Sequence, residues 1–124
     1  MPKETILIVE DNIINLRLAK VTLSASGYNI LAANDAEEAL SLLKTSRPDL
    51  ILMDLQLPRM DGLQLTTLLK QNPETKDIII VALTAFAMEG DAEKAIKAGC
   101  DGYITKPFDV RTLADELARF FEKK

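Results

Sequence analysis

Three runs of consecutive apolar residues stand out along the chain, at residues 6–9, 50–53 and 78–81. None of them alternates with polar residues, a pattern typical of strands that are buried on both faces. Two weaker runs, at residues 30–33 and 103–105, are shorter or less apolar, as expected of strands at the edges of a sheet. The chain is therefore predicted to contain five short strands.

Helical spacing of apolar residues fills the segments between these runs. A first helix is predicted to follow Asn12 and to end at Gly27, a residue that readily adopts the left-handed conformation after a helix. A second begins at Asp35, with Glu38 three residues on in capping-box spacing. The apolar positions that repeat with helical spacing are Leu16, Ala19 and Leu23; Ala36, Leu40 and Leu43; Leu65, Leu68 and Leu69; Ala92, Ala95, Ile96 and Gly99; and Leu113, Leu117, Phe120 and Phe121.

Strand and helix thus alternate five times, which predicts an α/β fold with a parallel sheet covered by helices on both faces. Five such units in 124 residues fit a single domain spanning residues 1–124, with the flavodoxin-like strand order 2-1-3-4-5. In sheets of this kind, ligands bind outside the carboxyl ends of the strands where the order reverses. Here that place lies between the first and third strands.

Polar residues follow the predicted strands at the same end of the sheet. Glu10 and Asp11 follow the first strand, and Asp54 follows the third. Neighbouring strands lie about 4.8 Å apart, so these carboxylates should crowd together and repel one another unless a cation lies among them. The chain has no histidine and one cysteine, and oxygen ligands alone favour Mg²⁺.

Thr84 and Lys106 follow the fourth and fifth strands and complete the group. Thr84, one strand from Asp54, can approach it with a short hydroxyl, whereas the fifth strand lies roughly 9 to 10 Å away, a distance that a lysine spans. Taken singly, each residue has a structural alternative: a helix cap, the start of a loop, or a solvated charge. Their common position at the carboxyl ends of the strands favours a phosphate-binding site.

Composition narrows the choice of partners. A net charge of −4 argues against direct binding of nucleic acid, which needs a basic surface. Cys100 is the only cysteine, so an intramolecular disulfide is excluded and a small packed residue is expected there. The sequence shows neither a signal-peptide pattern nor an apolar stretch long enough to cross a bilayer, so we expect a cytoplasmic protein without membrane contact.

The segments ILIVEDN, DLILMDLQLPRMDG, ALTAFA and GYITKPF occur in this order, and together they resemble the receiver domain of bacterial response regulators essentially from end to end. Single-domain regulators of the DivK type are the nearest match, and CheY is a more distant relative. The resemblance implies that Asp54 is the phosphoacceptor, that Asp11 and Asp54 bind Mg²⁺, that Glu10 binds it through a water, and that the Gln56 carbonyl completes the protein ligands.

The resemblance also implies the other functional residues and the partners. Thr84 and Lys106 would contact the phosphoryl group, and Tyr103 would be the aromatic that moves inward with Thr84. The bond before Pro107 would be cis. Gln56 and Phe86 would occupy two positions that tune the rate of dephosphorylation in this family. A sensor histidine kinase or a phosphotransfer protein would supply the phosphoryl group, so the chain would be a switch that assists its own modification rather than an enzyme.

Three alternatives remain at this point. An aspartate-nucleophile phosphohydrolase usually has a second aspartate two residues after the first, where this chain has Gln56. An interaction-only relative would not need the acid cluster, Thr84 and Lys106. A receiver excised from a hybrid histidine kinase or a larger regulator would keep the same chemistry.

If the chain is complete, its signal leaves through a surface that another protein reads, because only three residues follow Phe121. We expect this output surface to join the fourth helix, the fifth strand and the outer face of the fifth helix. Its residues are Glu89, Glu93, Lys94, Lys97, Tyr103, Arg111, Asp115 and Arg119.

Overall fold

The structure is a computed structural model, and it describes residues 4–57, 60–84, 91–106 and 108–122. Over these residues strands and helices alternate as the sequence predicts. The strands are β1 (Thr5–Val9), β2 (Asn29–Ala33), β3 (Leu50–Asp54), β4 (Ile79–Thr84) and β5 (Gly102–Thr105). The helices are α1 (Ile13–Ala25), α2 (Ala36–Leu43), α3 (Gly62–Gln71), α4 (Asp91–Ala98) and α5 (Leu113–Glu122).

The strands form one parallel sheet in the order β2-β1-β3-β4-β5, which confirms the predicted topology. The strands β1, β3 and β4 occupy the centre and are buried throughout except at Thr5, and the two weaker runs form the edges β2 and β5. The register pairs Val9 with Met53 and Asp54 with Leu83. The ends of β1, β3 and β4 therefore lie at one edge of the sheet, beside the reversal in strand order.

Alternate strand residues pack into two separate cores, because successive side chains point to opposite faces of a sheet. On one face, Leu7 and Ile51 pack with buried residues of α2, α3 and α4. On the other, Ile8 and Leu52 pack with buried residues of α1 and α5. Both faces are thus covered, which explains why the central strands lack polar alternation.

Side-chain caps mark the starts of α1 and α2, and a glycine follows the end of α1. Asn12 caps α1 through its Oδ1, which accepts from the backbone N–H groups of Ile14 and Asn15 at 3.0 Å. Gly27 follows that helix with φ 96°, the predicted left-handed position. Asp35 caps α2, although the Glu38 side chain bonds the backbone N–H of Asn34 rather than that of Asp35.

Two apolar residues that the helical spacing assigned to buried faces are substantially exposed. Leu68 on α3 is 46% exposed, and Ile96 on α4 is 50% exposed. Both helices cover their core with the neighbouring positions instead, Leu65 and Leu69 on α3 and Ala95 on α4. The side chain of Ala92 lies outside the described residues. Within the described residues, no helix is long and apolar enough to span a membrane.

Candidate functional site

Three carboxylates converge where β1 and β3 end. Oxygen atoms of Glu10, Asp11 and Asp54 all lie within 4.8 Å of one another. Asp11 is exposed, whereas Glu10 and Asp54 are only 1% and 2% exposed. The structure therefore brings together the acid cluster that the sequence predicts, with one member facing solvent and two facing the interior.

Lys106 reaches this cluster from the end of β5. Its Nζ lies 2.8 Å from Glu10 Oε1 and 3.1 Å from Asp54 Oδ2. The contact with Glu10 has ion-pair distance without hydrogen-bond geometry, so Oε1 has no hydrogen-bond partner among the described residues. The backbone N–H of Lys106 donates to the carbonyl of Thr84 at 2.7 Å, which holds the lysine beside the end of β4.

Burial and neighbouring charges shift the pKa values of Glu10 and Lys106. Burial raises the pKa of Glu10 to about 7, the contact with Asp54 adds to the rise, and Lys106 opposes it. Burial alone would lower the pKa of Lys106, but its contact with Glu10 and the charge of Asp54 outweigh burial, so the pKa of Lys106 is raised. The site thus stabilises a positive charge and resists a further negative one.

These residues fit a hard divalent cation. The cluster offers carboxylate oxygens without nitrogen or sulfur ligands, which is the donor set that Mg²⁺ prefers. A single lysine leaves the three carboxylates incompletely neutralised, and Glu10 Oε1, which has an ion-pair contact but no hydrogen bond among the described residues, is an acceptor that a metal-bound water would satisfy. The chemistry of the donors and the unfilled acceptor both agree with a magnesium site.

The backbone after Asp54 is held on two sides. The N–H of Leu55 donates to the carbonyl of Leu83 on β4 at 3.0 Å, and its carbonyl accepts from the N–H of Gly62 on α3 at 3.1 Å. The N–H of Gln56 donates to Asp54 Oδ1 at 2.9 Å. The Gln56 side chain is exposed, and its backbone N–H is the group that bonds to the cluster, through Asp54.

Thr84 and Tyr103 lie where the fold predicts them, on β4 and β5. Thr84 is buried at the end of β4 and pairs with Thr105. Tyr103 is 47% exposed on the edge strand β5. It borders a groove of about 500 Å³ between β5 and α5, lined by Tyr103, Ile104, Thr105, Phe108, Asp109, Glu116, Arg119 and Phe120.

Sequence reasoning missed two features of the site. It assigned Lys106 to the phosphoryl group without its contact to Glu10, and it used Asn12 only as a helix boundary. The N–H of Asn12 donates to Glu10 Oε2 at 3.2 Å, which orients that carboxylate. A capping residue placed directly after two acids is the signal that could have indicated this bond. Phe86, Glu89 and Pro107 lie outside the described residues.

Residues 6–118 match the family model of the response regulator receiver domain. The chain belongs to this family of two-component signalling proteins. The polar-differentiation response regulator DivK of Brucella anthropi is 47% identical over 120 residues, which cover 97% of each chain. This similarity confirms the resemblance to DivK-type regulators.

Solved structures agree with this family. A putative response regulator from Chloroflexus aurantiacus superposes with a TM-score of 0.92 at 30% identity, over 98% of this chain and 99% of that one. The receiver domain of a sensor histidine kinase from Pseudomonas aeruginosa superposes with a TM-score of 0.83 at 34% identity, over 97% and 95% of the chains. That structure holds a magnesium ion coordinated in its active-site cleft. The chain is accordingly a two-component response regulator, a signalling switch rather than an enzyme.

Proposed function

We propose that Asp54 accepts a phosphoryl group from a phosphohistidine on a sensor histidine kinase or a histidine phosphotransfer protein. The observation that carries this assignment is the position of Asp54 at the centre of the site, within the acid cluster and 3.1 Å from Lys106. A carboxylate oxygen of Asp54 forms the new bond to phosphorus. The bond from phosphorus to the imidazole nitrogen breaks, and its electron pair leaves with the histidine ring.

Lys106 and Thr84 are proposed to bind the transferred group. The Lys106 ammonium lies beside Asp54 and stabilises negative charge on the phosphoryl oxygens. Thr84 ends the neighbouring strand β4, and its hydroxyl is proposed to move toward the same oxygens on phosphorylation. Such a displacement vacates space beside β5, and Tyr103 is proposed to turn inward to fill it.

Glu10, Asp11, Asp54 and the Gln56 carbonyl are proposed to hold Mg²⁺, with Glu10 acting through a bound water. When bound, Mg²⁺ supplies positive charge that neutralises the carboxylates and the phosphoryl oxygens. The residues of the chain provide the rest. Asn12 orients Glu10, and the bond from the Gln56 N–H to Asp54 Oδ1 leaves the other oxygen of Asp54 directed toward Lys106.

The output is proposed to pass to a protein target rather than to DNA or a membrane. The charges expected on this surface are exposed in the described part of the chain: Glu93, Lys94 and Lys97 on α4, and Asp115 and Arg119 on α5. Arg111 is also exposed, but it lies two residues before α5 begins and pairs with Asp109 instead of belonging to the helix. Together with Tyr103 and the adjoining groove these charges offer a surface of mixed charge, suited to a specific protein contact. Residues 1–124 are proposed to act as one receiver domain in the cytoplasm, which assists its own phosphorylation and the later hydrolysis of the acyl phosphate.

The exposed face of α1 is proposed to receive the phosphohistidine-bearing protein. Apolar side chains face solvent there, including Ile14 at 72% and Val21 at 67% exposure, together with Ile13 and Leu18. This helix begins two residues after Asp11. A partner that covers it would bury exposed apolar area while its histidine reaches the nearby cluster.

Replacing Ile14 and Val21 together by alanine tests this docking face. We expect slower phosphoryl transfer from a phosphotransfer protein but an unchanged rate with acetyl phosphate, because a small molecule does not need the apolar contact. Rates are compared by loss of label from the donor protein and by intact mass. Equal slowing with both donors would instead assign these side chains to the stability of the site.

Substitution of Asp54 by asparagine tests the phosphoacceptor. Wild-type protein incubated with acetyl phosphate and Mg²⁺ should gain one phosphoryl group by intact mass, and Asp54→Asn should fold but gain none, because the amide keeps the shape and removes the nucleophile. Asp35→Asn is the matched control, since asparagine still caps α2 and the site is unaffected. Full phosphorylation of Asp54→Asn would place the acceptor elsewhere.

A further inference from the structure

Gly62 is the first residue of α3, and its backbone conformation is one that other residues also adopt. Glycine is less favourable than alanine in a helix, because it loses more backbone freedom on folding. Among the described glycines a positive φ occurs only at Gly27 and Gly99, so Gly62 has no left-handed conformation to explain it. A close contact that leaves no room for a side chain, rather than a backbone angle, therefore explains the glycine at this position.

That contact is with the backbone of the proposed phosphoacceptor. A Cβ atom placed on Gly62 would lie 2.4 Å from the carbonyl oxygen of Asp54, 2.8 Å from Leu55 Cα and 3.1 Å from the carbonyl carbon of Asp54. Ordinary van der Waals contact begins at about 3.4 Å, so the nearest atoms would have to separate by about 1 Å. Because all three atoms belong to the backbone, a side-chain rotation cannot relieve the overlap.

The same backbone is anchored on its other side. Leu55 donates its N–H to β4 and accepts at its carbonyl from the N–H of Gly62, so it is held between the sheet and the start of α3. The start of α3 is itself fixed by a capping box, in which Asp61 and Gln64 exchange bonds of 2.8 and 3.2 Å. Any widening at Gly62 must therefore move the segment from Asp54 to Gln56 or detach α3.

We propose that Gly62 is a positioning residue of the phosphorylation site. Its missing side chain lets α3 press against Asp54 and Leu55, and this contact sets the place of the Asp54 carboxylate and the Gln56 carbonyl relative to Glu10 and Asp11. The inference rests on the proposed function, since it concerns the same cluster. A displacement of about 1 Å at such a site is enough to reduce metal binding and reaction rate severely.

The variant Gly62→Ala tests this role. We expect the dissociation constant for Mg²⁺ to rise about tenfold or more, measured by titration calorimetry. Phosphorylation by acetyl phosphate should slow in parallel. In metal-free protein, amide NMR shifts should change at Leu55 and Gln56, a readout that needs neither metal nor activity.

Gly102→Ala is the matched control. A Cβ there would lie 2.3 Å from the ring of Phe120, so it also introduces a close contact, but one with a side chain away from Asp54. We expect Gly102→Ala to keep the wild-type affinity for Mg²⁺. The opposite outcome is that Gly62→Ala lowers stability while its affinity for Mg²⁺ and its amide NMR shifts at Leu55 and Gln56 stay as in the wild type. In that case the glycine is only structural and the proposal is overturned.

A second pair of variants decides the question if Gly62→Ala does not fold. Asp61→Asn keeps a cap on α3, whereas Asp61→Ala removes it, and both lose the same charge. Weaker Mg²⁺ binding in Asp61→Ala than in Asp61→Asn supports positioning by the start of α3, and equal binding overturns it. A wild-type protein that binds no Mg²⁺ and gains no phosphoryl group would contradict the proposed function itself rather than Gly62.

Discussion

At the scale of single residues, the site is governed by an imbalance of charge. Lys106 contacts both Glu10 and Asp54, whereas Asp11 faces solvent without an ion-pair partner in the described part of the chain. Two of the three carboxylates therefore share one ammonium, and the raised pKa of Glu10 reflects the cost of burying its charge. A divalent cation would remove this imbalance, so metal binding and stability should be linked.

Replacement of Asp11 by asparagine should affect these two properties in opposite directions. Loss of a ligand should weaken Mg²⁺ binding by about tenfold or more. The metal-free protein should become slightly more stable, by less than about 1 kcal/mol, the scale of repulsion between two charges at such distances in water. Calorimetric titration measures the first effect, and thermal unfolding in a chelator measures the second.

Asp77→Asn supplies the control, because it removes an exposed carboxylate that lies outside the cluster. It should leave the affinity for Mg²⁺ as in the wild type. Unchanged affinity in Asp11→Asn as well would remove Asp11 from the metal site.

The sequence was sufficient to predict which residues meet at the site but not how they bond. Glu10, Asp11, Asp54, Thr84 and Lys106 could be placed because parallel strands bring their carboxyl ends to one edge. The contact of Lys106 with Glu10 depends on the path of a long side chain, which strand spacing does not fix. The close approach of α3 to the Asp54 backbone is likewise a property of packing that periodicity does not contain.

At the scale of helices and strands, the sequence predicted the described strands, including the partly buried edge strands, but it overestimated the burial of two helical residues. Apolar runs identified the central strands. Gly27 indicated the end of α1, and Asp35 indicated the start of α2. Helical spacing gave the direction of each buried face but not its width, so Leu68 and Ile96 were assigned to a core that they only border. An apolar residue at the margin of a face packs or remains exposed according to its neighbours.

The difference between buried and marginal positions can be measured with two leucines. Leu117 on α5 is fully buried, whereas Leu68 on α3 is about half exposed. We expect Leu117→Ala to lower the free energy of unfolding by about 3 kcal/mol, because it leaves a cavity. Leu68→Ala should cost about 1 kcal/mol or less, since little apolar area leaves the interior. Urea denaturation measures both, and equal losses would contradict the assigned burial.

At the scale of the whole molecule, the phosphorylation site and the proposed output surface are separate places joined by β4 and β5. Thr84 ends β4, and Tyr103 lies on β5 two residues before Thr105, its partner in register. Phosphorylation can change the affinity for a target only if the two states of this surface bind it differently. Couplings of this kind are typically about 1 to 3 kcal/mol.

Beryllofluoride, which mimics the phosphoryl group on Asp54, should therefore change NMR shifts in two regions. Changes are expected at the loops around Asp11, Asp54 and Lys106, and also across the surface from Glu93 to Arg119. Asp54→Asn treated in the same way is the control and should show neither set. Changes confined to the loops would contradict the proposed path to the output surface.

The arrangement of the two cores also bears on how the chain folds as it is synthesised. The core formed by Ile8, Leu52 and Leu83 is closed by Leu113 and Leu117 of α5, and α5 follows all five described strands along the chain. A nascent chain that has already produced β1, β3 and β4 has α1 on this face, but the part of the face that α5 covers is still open to water. The strands that carry the acid cluster therefore complete their packing only after α5 has left the ribosome, and until then part of that apolar face is available to chaperones.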